Sequence, residues 1–368
     1  MKVTDTKKHL EGLALFLLMA VLAVLVFTMG GCAKTGQVAQ GPVGSEEEQE
    51  AIPKTRTVVD LLGESIEVPT QVDTIAASYA AAEEIFLLLG VQDRNVGVSD
   101  DNIENEWLLK FDPGLSDNAR IFPGWALDQE ALLKASPDVV ICHSPEIAAE
   151  VRSLAIPAVY AMGTDPDSLI ATIELTGEIL GGDAEARAKG LAAYYRDNME
   201  QATSRTRALD QDQIKRVYYT TGTDPLNTEG KGSIVTSWIE MAGGRNVAAD
   251  AGVEGMFIDV DLEDLLAWDP EVVISCDPAA TEVFLTDQRF AEMSAVKNNA
   301  VRTSPAGAFV WCVRSADEAL MTLWATTVIQ PDLCSDIKYE DIVRDFYGQF
   351  YHYEPTDAEI QGILWPEQ

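Results

Sequence analysis

The sequence repeats itself, since DQEALLKASPDVVI at residues 128–141 returns as DLEDLLAWDPEVVI at residues 261–274 with eight of fourteen positions identical. In each copy an Asp precedes a short helical stretch, a Pro ends it, and an apolar run follows. Apolar runs without polar alternation are typical of strands buried on both faces, as in parallel sheets. The repeat therefore predicts two α/β lobes, with the leucine pairs Leu132-Leu133 and Leu265-Leu266 facing inward.

A second, weaker repeat supports two similar lobes. The segments EEIFLLLGVQDRNVGV (83–98) and SWIEMAGGRNVAA (237–249) both run from an amphipathic helix through Gly into Arg-Asn-Val. An apolar run, VDTIAAS or RVYYTTG, precedes each of these helices. Each lobe is thus expected to contain a strand, a helix, a strand that starts at Asn-Val, and then the helix and strand of the first repeat.

The segment between the two lobes has helical composition. Residues 165–210 are rich in Ala, Leu, Glu and Arg, and only the Gly181-Gly182 pair interrupts the helical spacing. We therefore expect a connecting helix at 165–210 that acts as a rigid strut. It would join a first lobe at 55–164 to a second lobe at 211–368.

The N-terminus has the features of an export signal. A lysine-containing start, an apolar run and two glycines precede Cys32, which is the pattern of a secretory signal at residues 1–31. Cys32 resembles the acylated cysteine of bacterial lipoproteins, and residues 32–54 read as a flexible tether. The alternative is an uncleaved membrane anchor, because eighteen apolar residues reach across a bilayer.

Charge limits the classes of partner. The chain has 26 basic and 60 acidic side chains, and loss of residues 1–31 removes three Lys and two acids, leaving a formal charge of −35. Such a surface repels nucleic acid and anionic membranes. The four later cysteines have no CxxC spacing, so the sequence does not assign disulfide pairs. They are Cys142, Cys276, Cys312 and Cys334.

Five motifs, the first repeat among them, together resemble one family. They are TRTVVDLLGESIEVP, the two L-L-x-x-x-P-[DE]-V-V-I steps, TEGKGSIVTSWIEMAGGRNVA, AVKNNAVRTSPAGAFVWCVRSADEALMTLWA and FYGQFYHYEPTDAEIQGIL. The chain resembles the class III periplasmic-type substrate-binding proteins of ATP-driven importers for ferric siderophores, haem and cobalamin, over residues 55–363. The resemblance implies two α/β lobes about a shallow cleft and little hinge motion.

The same resemblance implies a function in capture and delivery. A lipid-anchored, extracytoplasmic monomer would hand its ligand to a permease dimer with its ATPase, with no cofactor and no chemistry on the ligand. Glutamates after the repeat strands would dock on the permease, and here these are Glu146 or Glu150 in one lobe and Glu282 in the other.

The ligand would lie between loops at the carboxyl ends of the strands. Mapping those loops onto this chain nominates Ser78, Tyr79, Phe122, Trp125 and His143 in the first lobe and Tyr219, Thr221, Lys231, Phe309, Trp311 and Arg314 in the second. Aromatic side chains suit a macrocycle or a chelator backbone, and Arg suits a carboxylate or hydroxamate oxygen.

Other roles are open for the same residues. Trp125 and Trp311 also fit core positions, and Arg314 also fits an ion pair with Asp317 or Glu318 one turn later. If Trp311 and Arg314 bind ligand, their replacement by Ala should weaken capture without unfolding the protein.

Three histidines are too few for a direct zinc or manganese site, because one of them, His9, lies in the export signal. His143 remains a candidate axial ligand to haem iron or corrinoid cobalt. No nucleophile elbow, HExxH, Walker lysine or dinucleotide motif indicates an enzyme. The alternatives are a direct divalent-metal binder and a non-transport sensory lipoprotein.

Only Lys231 and Arg314 add positive charge to the mapped loops. That favours a hydroxamate-type siderophore, haem or a corrinoid over a highly anionic catecholate.

Overall fold

The computed structural model describes residues 53–366. The predicted export signal at 1–31, Cys32 and the tether as far as residue 52 lie outside the described residues. The described residues form one compact unit. Between residues 53 and 366 no helix is both long and apolar enough to cross a membrane.

The first lobe is built on a parallel sheet. Its strands are β1 (Thr55–Val59), β2 (Ser65–Pro69), β3 (Ile75–Ala77), β4 (Val139–Cys142) and β5 (Ala158–Tyr160). Its helices are α1 (Ala80–Leu88), α2 (Glu106–Phe111), α3 (Gln129–Ala135) and α4 (Pro145–Ser153), with 3-10 turns at Gln92–Arg94, Leu115–Asp117 and Pro123–Trp125. Strands β3, β4 and β5 pair in that order, and β1 and β2 form an antiparallel hairpin.

Two helices, α5 (Pro166–Leu180) and α6 (Gly182–Thr206), connect the lobes. The long connecting helix is confirmed as α6, which has 25 residues, and the break indicated at Gly181-Gly182 separates it from α5, so the segment 165–210 is two helices. Gly181 and Gly182 both have positive φ, 67° and 58°, a conformation that reverses the chain and that side chains with a Cβ rarely adopt. The two helices pack tightly against each other, since a Cβ built on Gly177 would lie 2.3 Å from the Cβ of Ala188.

The second lobe is built on a four-stranded parallel sheet in the order β11-β10-β6-β8. The strands are β6 (Lys215–Thr220), β7 (Asn227–Thr228), β8 (Gly244–Asn246), β9 (Ile258–Asp259), β10 (Val272–Ser275) and β11 (Val301–Thr303). The helices are α7 (Ile234–Met241), α8 (Val247–Asp250), α9 (Leu262–Trp268), α10 (Pro278–Thr286), α11 (Ser294–Lys297), α12 (Met321–Ile329), α13 (Tyr339–Phe346) and α14 (Asp357–Leu364). Further turns are the 3-10 helices Ala316–Leu320 and Pro331–Leu333 and the π-helix Tyr347–Tyr351. Two α/β lobes are thus confirmed.

Both repeats correspond to equivalent structure. The first gives α3 followed by β4 in one lobe and α9 followed by β10 in the other. In the second, Asn95 pairs with Ile75 of β3 and Asn246 pairs with Val217 of β6, so the Asn-Val segment lies beside the first strand of each sheet.

The prediction that both leucines of each pair face inward is correct for one leucine of each pair and wrong for the other. Leu132 and Leu265 are fully buried, whereas Leu133 and Leu266 are 55% and 36% exposed. Successive residues of an α-helix point about 100° apart, so a helix with one buried face buries only one leucine of the pair. The same member of each pair is buried.

The repeats also share an uncommon backbone feature. The residue that ends each repeat helix is left-handed, with φ 47° at Ser136 and 41° at Asp269, and the following Pro leads into the strand. Left-handed residues stop helices by turning the chain away from the helix axis. In the second copy the carboxylate of Asp269 also accepts hydrogen bonds from the backbone N–H and the hydroxyl of Ser294, both 2.7 Å.

The largest apolar core is common to both lobes. One face of each repeat strand, with Val139 and Ile141 in β4 and Val272 and Ile274 in β10, joins a core cluster that continues through α5, α6 and α12. The opposite faces join two smaller clusters, one in each lobe. The two sheets are therefore connected through a single body of buried side chains.

The C-terminal segment adds to this connection. Phe111 of α2 stacks on Tyr351 with ring centroids 4.9 Å apart, and Trp107 packs edge-on against Tyr347 at 5.6 Å. Lys110 forms an ion pair with Glu359 of α14. The last helices of the chain therefore pack on the first lobe as well as the second.

Candidate ligand-binding site

The carboxyl end of the first sheet carries a cavity of about 150 Å³. Four of the predicted residues line it, namely Ser78, Tyr79, Phe122 and Trp125, together with Ala80, Ser99, Asp100, Asp101 and Gly124. They meet because β3 ends immediately before Ser78, and because the loop before α3 passes over the same edge. The backbone N–H of Gly124 donates to Oδ2 of Asp100 at 2.9 Å and anchors that loop.

His143 adjoins this cavity. Its Nδ1 lies 2.7 Å from Oγ of Ser78 and 3.2 Å from the carbonyl oxygen of Ser78, and its ring meets the ring of Trp125 edge-on at 5.2 Å. Burial lowers the pKa of His143 below its ordinary value, so the imidazole is neutral at pH 7. Nδ1 either donates to the Ser78 carbonyl oxygen or accepts from the Ser78 hydroxyl, and the first of these tautomers leaves the lone pair on Nε2.

Trp125 combines exposure with an unusual backbone conformation. Its side chain is 49% exposed and its φ is 71°. Positive φ in a bulky residue costs free energy, of order 1–3 kcal/mol, and such residues concentrate at functional sites. The alternative that Trp125 belongs to the core is therefore wrong.

The second lobe has a matching aromatic that the sequence analysis did not identify. Phe257 is 59% exposed, has φ 58°, and precedes β9, which pairs with β7. The repeat spacing of 133 residues places Phe257 opposite Gly124 and Ile258 opposite Trp125. Extending the repeat four residues toward the N-terminus would have indicated it.

Arg314 is held in a buried ion pair. Its Nη1 lies 3.4 Å from Oε2 of Glu229, and the two side chains are 9% and 0% exposed. Its guanidinium carbon also lies 5.8 Å from the ring centre of Phe257. Burial raises the pKa of Glu229, and the charge of Arg314 opposes that increase. The alternative of a surface pair with Asp317 or Glu318 is therefore wrong. The positive charge of Arg314 is paired with the carboxylate of Glu229 instead.

Two predicted contact residues are core residues. Tyr219 is fully buried, because its side chain lies on the face of β6 that packs on Trp238. Its hydroxyl lies 3.5 Å from Sγ of Cys312. Trp311 is also fully buried, with its ring 5.9 Å from that of Tyr339. Neither side chain reaches the surface, so the prediction that they contact ligand is wrong.

The remaining predicted residues of the second lobe lie at different depths. Lys231 is exposed, Thr221 and Phe309 are half-buried, and the hydroxyl oxygen of Thr221 is buried without a hydrogen-bond partner. The glycine before Lys231 has a packing role, because a Cβ on Gly230 would lie 2.1 Å from the carbonyl oxygen of Val253.

The glutamates predicted to dock on a permease follow the repeat strands, on α4 and α10. Glu146 and Glu282 are exposed, while Glu150 is half-buried and accepts a hydrogen bond from Gln129 at 3.1 Å. The repeat spacing pairs Glu146 with Ala279, so the two exposed glutamates do not occupy equivalent positions.

Within the part of the chain that the structure describes, no group of three or more His, Cys, Asp and Glu side chains is arranged to hold a metal ion. Cys142, Cys276, Cys312 and Cys334 all carry free thiols.

Comparison with known proteins agrees with this architecture. Residues 75–308 match the family described as periplasmic binding protein. The molybdate-binding protein MolA of Haemophilus influenzae is 27% identical over 82% of this chain and 90% of its own length. A cobalamin-binding protein of Halobacterium salinarum is 24% identical over 70% of this chain and 68% of its own.

Among solved structures, a periplasmic solute-binding protein from Veillonella parvula superimposes with a TM-score of 0.72 and 28% identity, covering 84% of this chain and 97% of that one. The match to the family covers well over half of the sequence and includes both repeat steps, both sheets and the cavity. The chain therefore belongs to the periplasmic binding protein family.

Proposed function

We propose that this protein captures a ferric siderophore or a related metal chelate, such as haem or a corrinoid, and delivers it to an ATP-driven importer. The observation that carries the proposal is the pair of exposed, left-handed aromatics, Trp125 and Phe257, one in each lobe. Exposed rings on a fixed backbone offer flat apolar faces to a large ligand. Trp125 lies beside His143, whose Nε2 is free to accept a hydrogen bond or to coordinate a metal within the ligand.

The charge of the site supports a weakly charged ligand over a small polyanion. Arg314 is neutralised by Glu229, and Asp100, which is paired with Arg120, lines the cavity of the first lobe together with Asp101. A small oxyanion such as molybdate, which the relative from Haemophilus influenzae binds according to its name, would have to compete with Glu229 for Arg314. The relative from Halobacterium salinarum is named for cobalamin, a large corrinoid.

The test is thermal unfolding of the full-length chain in mild detergent with ferric hydroxamate siderophores, haem, cobalamin, cobinamide, molybdate and divalent metals. A ligand present at about 100 times its dissociation constant stabilises the folded state by about 2.7 kcal/mol. A shift with one chelate class supports the proposal. A shift with molybdate alone, with a bare metal alone, or with none of them contradicts it.

Trp125→Ala tests the site within the same experiment. This substitution should abolish most of the ligand-induced shift while leaving the melting temperature of the ligand-free protein within a few degrees of wild type, because half of the side chain is exposed. Trp365→Ala is the matched control, since Trp365 is 48% exposed and is not among the residues that line the cavity. Equal ligand response in both variants would refute a role for Trp125.

We also propose that Cys32 carries a lipid and holds the protein at the outer face of the cell membrane. The support is the sequence pattern around residues 30–32. Metabolic labelling with an alkyne fatty acid should tag the wild-type chain and not the Cys32→Ser variant. Equal labelling of both would contradict the anchor.

Docking on a permease would involve Glu146 and Glu282, because both are exposed and each follows a repeat strand. Charge reversal at both, as Glu146→Lys and Glu282→Lys, should reduce uptake in cells without changing ligand affinity of the isolated protein. Unchanged uptake would contradict the assignment. Glu130→Lys, on the exposed face of α3, is the control.

A further inference from the structure

Three acidic and phenolic side chains meet in the interior where the two lobes join. Glu84 of α1 in the first lobe is fully buried, and so is Asp317 of the 3-10 helix Ala316–Leu320 in the second. The phenol oxygen of Tyr351 lies 2.8 Å from Oε1 of Glu84 and 2.8 Å from Oδ1 of Asp317. The backbone N–H of Ala316 also donates to Oε2 of Glu84 at 2.8 Å.

The hydrogen-bond count at this cluster requires an additional proton. A phenol has one hydrogen to donate, yet Tyr351 lies within hydrogen-bond distance of two carboxyl groups. One of those carboxyl groups must therefore be protonated and donate to the phenol oxygen. Burial and the neighbouring Asp317 raise the pKa of Glu84 well above its usual range, whereas the pKa of Asp317 is raised to about 6. Glu84, whose pKa is raised by both burial and Asp317, therefore holds the shared proton and donates to Tyr351, and Tyr351 donates to ionised Asp317.

No positive charge compensates this cluster. Tyr347 on the π-helix interacts with both carboxyl groups, and the sequence neighbours Glu83 and Glu318 are also acidic. Glu83 accepts hydrogen bonds from Ser99 and Asn102. Both carboxyl oxygens of Glu318 are buried without a hydrogen-bond partner. Helix α12 follows without a titratable side chain.

Helix α2 packs on the cluster through Phe111, whose ring stacks on that of Tyr351. Lys110 of the same helix is paired with Glu359. Within residues 53–366 no Lys, Arg or His forms a hydrogen bond or ion pair with the cluster. Loss of the proton would therefore leave two buried negative charges side by side.

The cluster is continuous with both halves of the candidate ligand site. Helix α1 begins directly after Ser78 and Tyr79, which line the cavity. The 3-10 helix begins two residues after Arg314, and the backbone N–H of Phe309 donates to Oδ2 of Asp317 at 3.2 Å. The cluster therefore fixes the loop 304–315 of the second lobe against the helix that carries the cavity of the first.

We infer that Glu84, Tyr351 and Asp317 form a proton-dependent latch between the lobes, and that loss of the shared proton at alkaline pH loosens the loop 304–315 and weakens ligand capture. The second half of this inference rests on the proposed function. Glu84 and Asp317 act as positioning residues, since neither contacts the cavity.

The sign of the pH dependence follows from where the proton binds best. The latched state holds the proton more tightly than an open or unfolded state, in which Glu84 is an ordinary carboxyl group. The contribution of the latch is thus complete below the ordinary carboxyl range. It then decreases by up to about tenfold in the latched-to-open ratio for each pH unit as pH rises toward the raised pKa of Glu84, and it is lost above that pKa.

Amide hydrogen exchange of the full-length chain measures the latch without any ligand. After division by the intrinsic exchange rate, the protection of residues 304–320 in wild type should fall by up to about tenfold for each pH unit from about pH 5 up to the raised pKa of Glu84, and it should be constant above that pKa. Glu84→Gln should remove that fall, because an amide donates to Tyr351 at every pH. Glu130→Gln, at an exposed position, should behave as wild type.

Identical pH profiles in wild type and Glu84→Gln would overturn the latch. Should Glu84→Gln fail to fold, Asp317→Asn is the second variant: its amide donates to Tyr351 and Tyr351 can then donate to ionised Glu84, so the fall in protection should be smaller than in wild type, and an unchanged fall would overturn the latch. A wild-type protection that is constant over this pH range would overturn the inference without any variant.

The effect on capture is measured separately, with cobalamin as the probe at about pH 7 and about pH 9.5. Wild type should lose affinity at the higher pH and Glu84→Gln should not. If cobalamin binds equally at both pH values while exchange changes, the link to the site is wrong. If cobalamin binds at neither pH, the choice of ligand fails, and the exchange measurement still decides the latch.

Discussion

Removal of the guanidinium of Arg314 should destabilise the protein strongly, although the side chain was expected from sequence to be dispensable for folding. Arg314→Ala leaves Glu229 fully buried with no compensating charge, and Oε1 of Glu229 already has no hydrogen-bond partner. Breaking one partner of a buried ion pair typically costs about 3–5 kcal/mol. We expect a loss in that range at about pH 8.

The loss should depend on pH in a defined direction. Without Arg314, the pKa of Glu229 rises further, because burial already raises it and the opposing charge is gone. The folded variant then binds a proton more tightly than the unfolded chain. Its free energy of unfolding is therefore highest at acidic pH and falls by up to about 1.4 kcal/mol per unit as pH rises toward the folded pKa of Glu229.

Urea unfolding of residues 52–368 at a series of pH values measures both quantities. The double variant Arg314→Met with Glu229→Leu should recover most of the stability, since it removes both buried charges together. Lys231→Ala is the control from the same loop region, and because Lys231 is exposed its effect should be within about 0.5 kcal/mol of zero. A loss below about 1 kcal/mol in Arg314→Ala, or a loss that does not change with pH, would refute the reasoning.

Three further substitutions, at Gly177, Gly190 and Trp311, test packing. Gly177→Ala should cost about 1–3 kcal/mol in urea unfolding, because the new Cβ would lie 2.3 Å from that of Ala188. Gly190→Ala, on a helix position with no atom within 4 Å, should instead stabilise by about 0.5–1 kcal/mol, and equal effects of the two would contradict the packing of α5 on α6. Trp311→Ala should cost about 3–5 kcal/mol because the side chain is fully buried. If Trp311→Ala is as stable as wild type but binds ligand less tightly, Trp311 contacts the ligand and its assignment to the core is wrong.

The fold was largely accessible from the sequence because the repeat carries it. Periodicity predicted β4 and β10 as strands buried on both faces, and burial of all four residues in each confirms it. The sequence indicated the break at Gly181-Gly182 but not the reversal of the chain there, because glycine composition marks a break without giving its geometry. Two successive residues of positive φ turn a break into a hairpin.

The site was less accessible, for a physical reason that differs between lobes. In the first lobe the strand ends fix Ser78 and His143, since residues that end neighbouring parallel strands lie at one edge. Trp311 lies in an irregular loop, where no periodicity tells which side chains turn inward. Tyr218 and Tyr219 are adjacent on β6 and enter different core clusters, and the sequence alone does not reveal that neither reaches solvent.

The apolar core that runs through both lobes has a consequence for how an importer would use this protein. Relative motion of lobes joined by one body of packed side chains would expose part of that core to water, so the shared core disfavours large closure on the ligand. Empty and loaded copies would then present nearly the same outer surface to the membrane complex. Uptake would depend on the ratio of loaded to empty protein, because the two forms would compete for the same docking surface on the permease.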